Sequence, residues 1–162
     1  MKNKSFIVRD ATIDDAQAIF NFINELALYE KAPEQVIANV DEIQATLFGD
    51  KPQAHALIAE KGNDPIGFAV YFYNYSTWLG KQGIYLEDLY VSPSFRGLGA
   101  GKGLLKEVAA IATKNNCGRV EWSVLDWNKP AIDFYQSFDA KPQDEWTVYR
   151  LTGEALTKFA KN

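Results

Sequence analysis

Apolar residues change period along this chain, and each change marks an element. Phe6-Ile7-Val8-Arg9 reads as a short strand. Ile13, Ala16, Ile19, Phe20, Ile23, Leu26 and Ala27 then recur at helical spacing. Thr12 with Asp15 three residues on forms a capping-box start for that helix, which ends near Tyr29-Glu30, before Pro33. A shorter helix is predicted over Asp41 to Phe48, stopped by Gly49 and Pro52. His55 to Glu60 and Ile66 to Tyr73 read as strands of a hairpin, turning at Asn63-Asp64-Pro65. Gly83 to Val91 is a further strand, with Glu87 and Asp88 set inside an apolar run and Ser92-Pro93 ending it. Leu104, Leu105, Val108, Ala109, Ile111 and Ala112 give the next helix one apolar face, closed by Asn115-Asn116 and Gly118. Arg119 to Leu125 returns as a strand. Asn128 caps a helix with Pro130 in its first turn, and Ala131, Phe134, Tyr135 and Phe138 share one side of it. Glu145 to Leu151 reads as a last strand and Gly153 to Ala160 as a terminal helix. Strands lead and helices alternate, so the class is α/β (α+β) with a mixed sheet.

Composition narrows the picture without deciding it. A chain of 162 residues suits one domain over 1–162, with enough bulk for a core. Its net charge of −4 disfavours nucleic acid and suits a cationic ligand. Cys117 is the only cysteine, so no internal disulfide forms and a reducing cytoplasm is expected. No apolar run is long enough for a membrane span, and Met1-Lys2-Asn3-Lys4 does not open a signal peptide. Cys117 has no neighbouring base in sequence, and His55 in its strand reads as structural. No metal site is predicted.

The chemistry concentrates after the Gly83–Val91 strand. Arg96-Gly97-Leu98-Gly99-Ala100-Gly101-Lys102 joins that strand to a helix, and strand, glycine loop and helix N-terminus together make an anion site. A Walker loop needs glycine at 96 and Ser or Thr at 103; the chain has Arg96 and Gly103. The dinucleotide fingerprint G-x-G-x-x-G fails as well, since 102 and 104 are not glycine. R-x-x-G-x-G fits at Arg96, Gly99 and Gly101, and so resembles the pyrophosphate loop of the GNAT superfamily of acyl-CoA-dependent N-acyltransferases.

Other segments extend the resemblance. Leu26-Ala27-Leu28-Tyr29-Glu30, Tyr75-Ser76-Thr77-Trp78-Leu79-Gly80-Lys81, Tyr85-Leu86-Glu87-Asp88 and Val124-Leu125-Asp126-Trp127-Asn128 are similar to the diamine and polyamine N-acetyltransferases, and most to their thialysine-acetylating branch. The resemblance implies a strongly twisted mixed sheet of about six to seven strands, splayed at the cofactor site and flanked by about four helices. It also implies acetyl-CoA as cofactor, a small amine as substrate, and a homodimer.

Roles follow residue by residue. Backbone N–H groups from Arg96 through Gly97, Leu98, Gly99, Ala100 and Gly101 to Lys102 hold the diphosphate, and Leu89, Tyr90 and Val91 lie along the pantetheine arm. Glu87 matches the family's base, needed because an alkylamine with a reference pKa near ~10.4 arrives protonated. Adjacent strand residues point to opposite faces, so Glu87 and Asp88 share a task only if a bulge intervenes. Tyr135 matches the acid that returns a proton to the departing thiolate, although an aromatic helix face also serves as core. Asn128 caps its helix and contacts the cofactor. Tyr29, Glu30, Trp78, Asp88 and Trp146 match positions lining the amine groove. Polyamine-acting members carry an acid where this chain has Ser76, which favours a shorter amine. Direct attack in a ternary complex is expected, since no nucleophile is evident. Acetylation of a protein lysine or N-terminus is the alternative within the class, and a non-catalytic acyl-CoA sensor the alternative outside it.

Overall fold

The structure, a computed structural model, describes residues 5–161. The chain divides into two compact units, one running to Ser123 and one from Val124 onward.

The first unit is a five-stranded sheet in sequential order, with strands β1 (Ile7–Asp10), β2 (His55–Lys61), β3 (Asp64–Ser76), β4 (Lys81–Val91) and β5 (Val120–Trp122). The first four pair antiparallel and β5 joins β4 in parallel, so the sheet is mixed. Helices α1 (Ala16–Tyr29), α2 (Val40–Phe48) and α3 (Ala100–Lys114) complete the unit.

Residues alternate across β2 and β3, and the two faces take different helices. Ala56, Ile58, Phe68, Val70 and Tyr90 form one core with Ala16, Ile19 and Phe22 of α1 and Ile43 of α2. Phe22 stacks on Phe68 with ring centroids 5.4 Å apart. The apolar stripe read from the sequence misplaces this contact: Ile13, in the 3-10 turn before α1, is exposed, and Phe22 is buried. On the other face α3 buries Leu104, Leu105, Val108 and Ala112. Gly103 lets α3 approach β1, since a Cβ there would meet Phe6 Cε2 at 2.8 Å.

The start of α1 is tied to the sheet by charge. Arg9 on β1 donates from both terminal nitrogens to Asp15, at 2.8 and 2.9 Å, and from Nε to Glu60 at 2.6 Å. Asp15 also accepts from the Thr12 amide, which is one half of the expected capping box. Pro65 lies inside β3 rather than in the turn, at the point where the β2–β3 register shifts.

The second unit holds α4 (Lys129–Gln136) and α5 (Gly153–Lys161). Asn128 caps α4 as expected, its Oδ1 accepting from the Ala131 amide at 3.4 Å. Phe134 and Phe138 meet edge to face at 5.2 Å. Two strand expectations are corrected. Val120–Trp122 is all that forms of the strand read over 119–125, and no strand forms over 145–151. A β pattern becomes a strand only where another strand takes its backbone groups, and here Val148 and Tyr149 stand exposed. The sheet therefore has five strands among the described residues, with five α-helices.

Candidate active site

The site is built on an irregularity in β4. Val70 pairs with Asp88 and Tyr71 with Leu86, so Glu87 is an extra residue, a β-bulge. Asp88 thereby shares the face of Val70 and Tyr90, on the side of α1, while Leu86 faces α3. The bulge re-aims Glu87, and its charge acts on both Asp88 and Glu30. Glu30, the residue that closes α1, is pushed above its ordinary pKa by burial and then by Glu87. Burial, and then the charges of Glu87 and Glu30, push Asp88 up to about 7. Carboxylates from two elements thus act on one another, and a cation beside Glu30 and Asp88 would offset the charge that raises them.

The bulge also changes which backbone groups are open. Ile84 N–H donates to Arg119 on the β5 side, whereas Ser92 N–H donates to Ile66 on the β3 side. Alternation back from Ser92 turns the amides and carbonyls of Leu89 and Val91 away from β3. β5 pairs with β4 only over Ile84–Leu86, so no strand among the described residues covers Leu89 and Val91 on that side. This is the expected splay. Tyr90 is turned the other way: its carbonyl lies against Gly67, where a Cβ would approach to 2.6 Å, and its ring is buried beside Phe22.

Beyond Val91 the chain passes through Pro93–Phe95, a single 3-10 turn, into the glycine loop. Gly97 and Gly99 take φ of +86° and +85°, left-handed values that favour glycine. Gly99 is the N-cap of α3 and supplies no side chain to cap it. The amides of residues 97–102 find no acceptor among the described residues, the first internal bond of the helix running from Gly103 to Gly99. A row of unsatisfied N–H groups at a helix start has the geometry that suits an anion. Arg96 stands outside it, its amide bonded to Pro93 and its Nε to the Val91 carbonyl at 3.1 Å.

Other predicted residues are spread. Tyr29 ends α1 beside Glu30, with the Arg96 guanidinium 5.4 Å from its ring centroid. Trp78 lies in the β3–β4 turn, exposed, and the six residue steps from Val70 to Ser76 separate it from the carboxylates by roughly 20 Å of strand. Asn128, Tyr135 and Trp146 belong to the second unit, where Tyr135 packs on Phe134 and Phe138. Sequence reasoning passed over Glu25, which accepts from Ser92 Oγ at 3.0 Å. Its spacing four residues before Tyr29 on α1 was the available signal.

Residues 17–139 match the Acetyltransferase (GNAT) family. The chain belongs to that family. Like its GNAT relatives it is an N-acetyltransferase. It is 38% identical to the thialysine N-epsilon-acetyltransferase of Sus scrofa, over 96% of this chain and 98% of that protein. Identity to the L-ornithine N5-acetyltransferase of Arabidopsis thaliana is 31%, over 95% of this chain and 87% of that one. Among solved structures, an integron cassette protein from the mobile metagenome of V. cholerae superposes with a TM-score of 0.82 at 27% identity, covering 98% of this chain and 99% of the other.

Proposed function

We propose that this chain, acting as one domain, transfers the acetyl group of acetyl-CoA to the primary amine of a small cationic metabolite. The observation that carries the reading is the crowding of Glu30, Glu87 and Asp88, which favours an ammonium group beside the open edge of β4. A lysine-like or ornithine-like side chain suits this arrangement, in keeping with the amines named for the relatives above. The Sus scrofa relative supports the thialysine-like end of that range.

Amides 97–102 hold the diphosphate, and the outward groups of Leu89 with the Val91 N–H meet the pantetheine arm. Glu87 takes the proton from the ammonium, directly or through water, and Asp88 contacts the cation. The free amine attacks the thioester carbonyl in a ternary complex: the new C–N bond forms and the C–S bond breaks. CoA leaves as thiolate, and the Tyr135 phenol returns its proton. Tyr29 and Trp146 line the acceptor groove, and Asn128 contacts the cofactor beside its cap. A homodimer working in the cytoplasm completes the proposal.

The test is a panel of thialysine, lysine, ornithine, diamines, spermidine and a lysine peptide, each with acetyl-CoA, followed by release of free thiol. Turnover of the short amines supports the reading; preference for the peptide overturns it. Binding of CoA without turnover of any amine identifies a sensor instead.

A further inference from the structure

The arginine of the glycine motif does not face the cradle it announces. Arg96 Nε donates to the Val91 carbonyl at 3.1 Å. Its guanidinium carbon lies 5.4 Å from the Tyr29 centroid and 5.6 Å from that of Tyr90, both within cation–π range. A second tie runs in parallel, from Ser92 Oγ to Glu25 Oε2 at 3.0 Å. Glu25 and Tyr29 sit four residues apart on α1, so one face of the last turn of the helix is fastened twice to the exit of β4. Glu30, the next residue, is the one whose charge meets Glu87 and Asp88.

We propose that Arg96 is a positioning residue of the acceptor site, which sets Tyr29 and Glu30 against β4 through its planar guanidinium rather than by holding the diphosphate. The inference rests on the acetyl-transfer reading above and deepens it. Because Arg96 also engages Val91, beside the first cradle amides, it joins the acceptor side of the site to the cofactor side. A lysine would keep the charge but not the rigid fork of donors that stays near both rings while Nε bonds a carbonyl.

The experiment compares Arg96→Met, Arg96→Lys, Tyr29→Leu and the Arg96→Met/Tyr29→Leu pair in the full chain. Calorimetric binding of CoA gives the cofactor affinity and shows that each variant is folded. Arg96→Met is expected to raise the acceptor KM about tenfold and leave CoA affinity within about twofold. Arg96→Lys falls between wild type and Arg96→Met, and the pair is no worse than Arg96→Met alone. CoA affinity lowered about tenfold with an unchanged acceptor KM would make Arg96 a phosphate ligand and overturn the proposal. So would effects of Arg96 and Tyr29 that multiply independently.

Hydrogen exchange supplies a readout that needs no turnover. The amides of Glu30, Lys31 and Ala32, bonded to Leu26, Leu28 and Ala27, should exchange faster in Arg96→Met without ligand. Unchanged exchange there refutes the positioning role even if no amine in the panel is acetylated, whereas absent turnover in wild type refutes only the activity. Should Arg96→Met fail to fold, as judged by its far-UV circular dichroism, Arg96→Lys carries the same comparison.

Discussion

Glu87 and Asp88 are consecutive, yet only Asp88 has a partner across the sheet, Val70. A regular strand would send their side chains to opposite faces. With the bulge, Glu87 acts on Glu30 and both act on Asp88, and the arrangement has a consequence for stability.

Asp88 keeps its proton to about pH 7 when folded and releases it near ~3.9 when unfolded. Between those values the native state binds more protons, so stability falls as pH rises from about 4 to about 7. Asp88→Asn should flatten that slope and raise the melting temperature at pH 8. Thermal melts across pH 4–8 check it; an unchanged slope would place the charge elsewhere.

The Arg9–Asp15 pair acts with the opposite sign. The Arg9 hydrogen bonds hold the Asp15 carboxyl below its ordinary pKa, so its stabilisation is present above the unfolded value and lost as pH falls through the folded one. Asp15→Asn should cost about 1–3 kcal/mol near neutrality, and the cost should shrink as pH falls below the unfolded carboxylate value. Urea melts in a series from pH 7 down into acid make the comparison.

Two glycines separate packing from ligand approach. A Cβ at Gly67 would meet the Tyr90 carbonyl at 2.6 Å, so Gly67→Ala should destabilise by about 1–3 kcal/mol. A Cβ at Gly101 meets only Val91 Cγ2, at 3.8 Å, and alanine there favours the helix. Gly101→Ala should keep or raise the melting temperature while weakening CoA binding, because on the proposed reading the methyl group would enter the space of the diphosphate. Melts with and without CoA resolve the two, since a ligand at 100 times its Kd adds about 2.7 kcal/mol.

The proton-transfer roles make kinetic predictions. Glu87→Gln should depress turnover most at low pH, where the amine arrives almost wholly protonated, and the deficit should shrink as pH rises. Tyr135→Phe should lower turnover by about 10²-fold or more with little change in acceptor KM. Full turnover in Tyr135→Phe across the pH range would remove the acid.

Much of the architecture was legible in local pattern. The five helices, the β2–β3 hairpin and the Asn128 cap depend on neighbours within a few residues, and periodicity records those directly. The glycine loop was legible too, because Gly97 and Gly99 serve a backbone conformation that few other residues accept. Tertiary contact chose among options that the pattern left equal. Phe22 rather than Ile13 entered the core, because the sheet offered Phe68 to stack on. The bulge at Glu87 depends on the register of a partner strand, and the placement of Arg96 on Tyr29 and Val91 depends on where α1 ends. Residues 145–151 have a strand's pattern and no ladder, for hydrogen bonding between strands needs a second backbone that no single stretch of sequence contains.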